Sequence, residues 1–63
     1  MTYKIDKTTN GFYVQVNEGT AEEGYLHIDG NVRTTTKYKD EWTGYFATEK
    51  NAREAVNKHR NGQ

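Results

Sequence analysis

From Tyr3 to Val16, apolar and polar residues alternate about a central Asn10-Gly11 pair, the pattern of two strands joined by a tight turn. Asn and Gly both tolerate the positive φ of a type I′ turn, so Asn10-Gly11 is expected at its centre. That turn sets Thr9 opposite Phe12, Lys7 opposite Val14 and Ile5 opposite Val16. One face then carries Tyr3, Ile5, Phe12, Val14 and Val16. The other carries Lys4, Asp6, Thr8, Tyr13, Gln15 and Asn17. A slip by one residue would exchange the two sets, so the alternation specifies the face each residue takes.

Beyond this hairpin, residues 17–24 form a polar, glycine-bounded loop with no basic residue. A third strand is expected over Tyr25-Leu26-His27-Ile28. If Asp29-Gly30-Asn31 is a three-residue loop, Ile28 pairs with Val32 and Leu26, Ile28 and Val32 share the buried face. The fourth strand then runs from Val32 to about Tyr38. Lys39-Asp40-Glu41 reads as a charged turn, and Trp42-Thr43-Gly44-Tyr45-Phe46 as a candidate short fifth strand. Thr48 is a good helix N-cap, with Glu49 favourably placed against the dipole. Ala52, Ala55, Val56 and His59 recur at helical spacing, and Asn61-Gly62 stops the helix. Phe46 and Trp42 are expected to fill the gaps beside this small-residue stripe. The fold class is α+β: a small, mostly antiparallel sheet with one C-terminal helix on one face, in a single domain over residues 1–63.

Composition narrows the chemistry. Only 32% of the 63 residues are hydrophobic, so aromatic side chains must complete a small core. The absence of cysteine removes disulfides and thiolate zinc sites, and favours a cytoplasmic location. No apolar run approaches the length of a membrane span, and the N-terminus lacks the hydrophobic region of a signal peptide. Net charge is zero, yet residues 1–30 sum to −3 and residues 31–63 to +3. An acidic and a basic pole are therefore expected, rather than a globally basic surface.

With neither serine nor cysteine, the usual nucleophiles are missing. Thr34-Thr35-Thr36 reads as β-propensity, since no base is placed beside it. His27 and His59 lack further ligands at metal spacing. Asp29-Gly30-Asn31 is explained by a turn, without the ligand series of a calcium loop. No phosphate-loop pattern occurs. A chain this short has little room for a reaction cleft of about 300–1,000 Å³. The expectation is a non-enzymatic protein with no cofactor and no metal.

The helix covers one sheet face. The other is expected to display Lys4, Tyr13, Gln15, Asn17, Tyr25, His27, Arg33, Thr35 and Lys37. Aromatics among Arg, Lys, Gln and Asn suit recognition of a protein or of nucleic-acid bases. Among them, Tyr13, Gln15, Asn17, Tyr25, His27, Arg33 and Lys37 are the candidate binding residues. The alternative contact is the acidic loop over residues 18–23.

The hairpin at Asn10-Gly11-Phe12-Tyr13-Val14, followed by Gly44-Tyr45-Phe46-Ala47-Thr48 and a helix with Ala52 and Ala55, resembles the N-terminal DNA-binding domains of phage and transposon tyrosine-family integrases. The resemblance implies a sheet whose uncovered face enters the DNA major groove, with Tyr13, Gln15, Arg33 and Lys37 as reading residues. Neutralising several phosphates, however, takes more clustered Lys and Arg than this face assembles. The favoured expectation is therefore a binding module for a protein partner, suited to a phage or mobile-element accessory protein, with nucleic-acid binding the alternative. It is expected to be a monomer or a weak homo-oligomer.

Overall fold

The computed structural model describes residues 1–62. Strands β1 (Tyr3–Thr8), β2 (Gly11–Val16), β3 (Gly24–Leu26) and β4 (Val32–Arg33) form one antiparallel sheet in sequential order. Helix α1 (Glu49–Asn61) packs against β1 and β2. Val14, Val16, Leu26, Phe46, Ala52 and Val56 are buried between sheet and helix, flanked by Tyr3, Ile5, Phe12 and Ala55. Each buried Val, Leu or Phe stabilises by about 1.5–3 kcal/mol, so this cluster carries most of the folding energy.

The hairpin keeps the expected faces but not the expected turn. Thr8 pairs with Gly11, Lys7 with Phe12 and Ile5 with Val14, which leaves Thr9 and Asn10 as the connecting residues. Thr8 stabilises this turn, its hydroxyl donating to Gly11 O (3.1 Å) and accepting from Asn10 N (3.1 Å). Gly11, at φ +123°, follows the turn instead of sitting inside it. A β-carbon there would lie 2.7 Å from the Phe46 carbonyl oxygen, so glycine also admits the incoming 46 backbone. Because both strands moved by one position together, side-chain parity survived.

Parity fails at His27. Val14 pairs with Leu26, and continuing that ladder would set Ile28 opposite Phe12. Phe46 occupies that place, exchanging backbone bonds of 2.9 and 2.7 Å with Phe12. The third strand therefore ends at Leu26, His27 turns inward, and Ile28 N bonds Thr43 O (2.9 Å). Ile28, expected in the core, is 61% exposed, while His27, expected on the open face, is buried. Val32 pairs with Leu26, not Ile28, across a five-residue connection.

The fourth strand stops at Arg33, short of Tyr38: with Leu26 opposite Val32, only Gly24 of β3 is left beyond Arg33's partner Tyr25, so a ladder running on to Tyr38 has no strand to follow. Thr35 instead bonds the local backbone, donating to Lys37 O (2.9 Å), a contact that competes with a ladder. The stretch through Phe46 contributes an isolated bridge and no fifth strand. Trp42, expected beside the helix, is 60% exposed.

The helix begins where the sequence places it. Thr48 is extended and its hydroxyl accepts from Asn51 N (3.1 Å), while Gly62 N donates to Lys58 O. No helix among the described residues is long and apolar enough to cross a membrane.

Candidate functional site

Cross-strand pairing builds the outer face row by row. Lys4 sits opposite Gln15, Gln15 opposite Tyr25, and Tyr25 opposite Arg33, so four side chains from four strands form one line. Asp6 and Tyr13 form the adjoining pair. The rings of Tyr13 and Tyr25 meet edge to face, 5.5 Å between centroids. Tyr13, Gln15, Tyr25 and Arg33 are thus brought together as expected.

The other three candidate residues are not part of that row. Asn17 lies just past the end of β2 at φ 56°, where its side-chain oxygen accepts from Thr2 N (3.3 Å). Lys37 lies beyond β4 with its ammonium 5.3 Å from the Trp42 ring centroid. His27 is only 1% exposed. Its Nε2 faces the Thr35 carbonyl at 2.7 Å and so donates, which leaves Nδ1 to accept from the Thr43 hydroxyl. His27 is a brace that ties residues 27, 35 and 43 together.

The charges on the outer face are largely committed to one another. Lys4 lies 3.6 Å from Asp6 and 3.8 Å from Glu18. Gln15 donates to Glu23. Asp29 takes both ends of the Arg33 guanidinium (3.1 and 2.9 Å) and also accepts from Asn31 N. Those hydrogen bonds, led by Arg33, hold the Asp29 carboxyl well below the usual carboxylate range and raise the guanidinium further. Partial burial and the Asp6 carboxylate, to which it donates at 3.2 Å, raise the Tyr13 phenol. The acidic loop thus supplies Glu18 and Glu23 to this face rather than standing apart from it.

Two residues that sequence reasoning left out extend the surface. The Arg33 guanidinium lies 3.7 Å above the Tyr38 ring, and Lys39 approaches the same ring at 5.3 Å. Tyr38 remains 41% exposed. Trp42, tilted against Tyr45 at 6.1 Å, lies under Lys37. The available signal was local: Lys37 and Lys39 flank Tyr38, and Trp42 follows the charged turn at residues 39–41.

Contrary to the size expectation, clefts of catalytic volume exist. The larger, about 490 Å³, lies between residues 27–31 and the C-terminal half of α1. Of its ionisable groups, His27 is engaged at both nitrogens, Asp29 with Arg33, and His59 Nδ1 with the Tyr3 hydroxyl at 2.7 Å, which leaves the exposed Lys58 of α1. No group of three or more His, Cys, Asp or Glu among the described residues is arranged to hold a metal ion.

No protein family, curated protein or solved structure matches this chain. The functional reading rests on the geometry above.

Proposed function

We propose that this chain is a non-enzymatic protein-binding module whose contact surface is the outer sheet face, extended by Tyr38 and Trp42. One observation carries this reading. Lys4 and Arg33 are neutralised by carboxylates of the same surface and Lys37 and Lys39 lie against the Trp42 and Tyr38 rings, while those rings stay 60% and 41% exposed. A phosphate-binding face needs the reverse, with cations available to displace counterions. Trp, Tyr and Arg are the residue types that dominate protein–protein binding energy, and here Arg33 lies over Tyr38 and Trp42 against Tyr45. The Asp29 ion pair holds Arg33 over the Tyr38 ring, so the surface is ordered before a partner arrives.

Photocrosslinking tests the reading directly. A benzophenone side chain placed at Trp42 is expected to capture a discrete protein in cells expressing the chain. The same probe at Glu54, on the exposed side of α1, is expected to capture none. Tyr38→Ala in the probe-bearing chain should weaken capture by tenfold or more, the scale of a hot-spot residue. Capture from position 54 but not 42, or duplex DNA bound in a strongly salt-dependent way, would overturn the assignment.

A further inference from the structure

Among the described residues, strand β1 stands at the end of the sheet order with β2 on one side and no strand on the other. The direction of its backbone groups can be read from its neighbours. Phe12 exchanges both hydrogen bonds with Phe46, on the side of β2 away from β1. Its β1 partner Lys7 therefore forms a non-hydrogen-bonded pair, as do Ile5 with Val14 and Tyr3 with Val16. The bond from Asn17 N to Thr2 O (3.0 Å) fixes the same phase at the other end. The N–H and C=O groups of Tyr3, Ile5 and Lys7 thus point to the open edge.

We propose that a second copy of this chain pairs at this edge, β1 against β1 and antiparallel, about a two-fold axis passing at Ile5. In that register Ile5 exchanges backbone bonds with its own copy, and Tyr3 with Lys7. The side chains fit the same alignment. On the outer face Lys4 falls opposite Asp6 of the copy, twice by symmetry, in the pair type that brings side chains closest. Lys4 already lies 3.6 Å from its own Asp6, so four charges alternate in sign around the axis. On the inner face Ile5 meets Ile5, and the Lys7 ammonium meets the Tyr3 ring.

The neighbouring face-preserving registers fail on the same residues. Sliding one way stacks Lys4 on Lys4, and sliding the other stacks Asp6 on Asp6. Edge lysines ordinarily discourage pairing. Here Asp6, two residues on and on the same face, converts that deterrent into a register code for a second copy. A groove of about 420 Å³ lies beside this edge, with Tyr3, Ile5, Arg53, Val56 and Arg60 among its lining. Pairing sets the copy's Ile5 at its mouth, so apolar surface adds to the backbone bonds. At the far side of the sheet β4 offers only Val32 and Arg33, so the assembly closes as a dimer instead of growing.

The native chain has no cysteine, which allows a clean test by single-cysteine scanning. In a hydrogen-bonded pair, Cα atoms are about 5.5 Å apart, within disulfide range. Under mild oxidation Ile5→Cys is expected to form covalent dimers, whereas Lys4→Cys and Asp6→Cys remain monomeric. Cross-linking at position 4 or 6 in preference to 5 would overturn the register. Should Ile5→Cys fail to fold, charge reversal decides. Lys4→Glu and Asp6→Lys are each expected to weaken self-association in sedimentation by at least about tenfold. Mixing these two variants restores the dimer, since both cross-strand pairs are again of opposite sign. A wild-type chain that stays monomeric at every concentration, or association indifferent to both reversals, would overturn the proposal. So would occupation of this edge by an extended segment of another protein.

Discussion

Residues 3–26 together with α1, and residues 27–46, are held together by different physics. The first region is a regular ladder closed by apolar packing, and it holds every core residue except Phe46. The second contains two residues of strand, two isolated bridges and a series of turns. What organises it is polar and specific. His27 spans from Thr35 to Thr43, Ile28 bonds Thr43, and Gly44 N bonds Thr36 O at 2.9 Å. Gly44 permits that approach, since a β-carbon there would lie 2.7 Å from the Thr36 α-carbon. Apart from Met1, the exposed large hydrophobic side chains among the described residues, Ile28, Val32, Tyr38 and Trp42, all belong to this second region. One part of the chain therefore supplies stability, and the other spends little of it on regular structure while presenting the surface. Their link is Phe46, which belongs to the second region by sequence and to the core by burial.

The largest expected effect tests whether the first region carries the stability. Leu26 is fully buried and truncation should cost about 2–5 kcal/mol, against a total of about 3–5 kcal/mol for a domain of this size. Leu26→Ala is expected to be largely unfolded at 25 °C by circular dichroism. A cooperative melt close to that of the native chain would move the burden elsewhere.

The next effect separates the regions. His27→Ala leaves the Thr35 carbonyl and the Thr43 hydroxyl without their partner, at about 1–3 kcal/mol. The loss should fall locally. Amide exchange at Ile28 and Gly44 is expected to accelerate, while Val14 and Val16 exchange at rates set by global unfolding. Equal acceleration throughout would mean that the two regions unfold as one unit. A smaller loss, about 1 kcal/mol, is expected for Thr48→Ala, which removes the cap of α1. It should lower the thermal midpoint without changing the exchange pattern of residues 27–46.

The same division explains what could be read from the sequence. In the hairpin and the helix, each residue is placed by its neighbours: alternation fixed the faces, and Thr48 and Gly62 marked the ends of α1. Even the displaced turn at Thr9 and Asn10 left the faces unchanged, because a symmetric shift of both strands preserves parity. The second region obeys a long-range event. Phe46 takes the place opposite Phe12, and no local pattern at Ile28 announces that its slot is filled from 18 residues downstream. From that substitution follow the burial of His27 and the exposure of Ile28, while the early end of β4 and the removal of Lys37 from the sheet row follow from the shortness of β3, which begins at Gly24. Periodicity gave Tyr13, Gln15, Tyr25 and Arg33 because they lie on the ladder. It missed Tyr38 and Trp42 because they do not.

The smallest expected effect concerns the tether between the regions on the outer face. Asp29 lies in the connection after β3 and holds Arg33 of β4 against Tyr38. Its carboxyl is depressed in the folded chain, so it binds a proton less readily there than when unfolded. The contribution is therefore present above the unfolded value, about 3.9, and is lost as pH falls below it toward the folded value. Asp29 is 44% exposed, so solvent and salt screen the pair and the gain is modest. Asp29→Asn should lower the thermal midpoint slightly at pH 7, and the gap from the native chain should narrow as pH drops below about 4. High salt should narrow it in the same way at neutral pH. A gap that is constant from pH 7 to the acid limit would show that the asparagine change acts through something other than the charge of the carboxylate. In that case Arg33 is held on Tyr38 by stacking, and the surface of the second region owes its order to aromatic contact and not to charge.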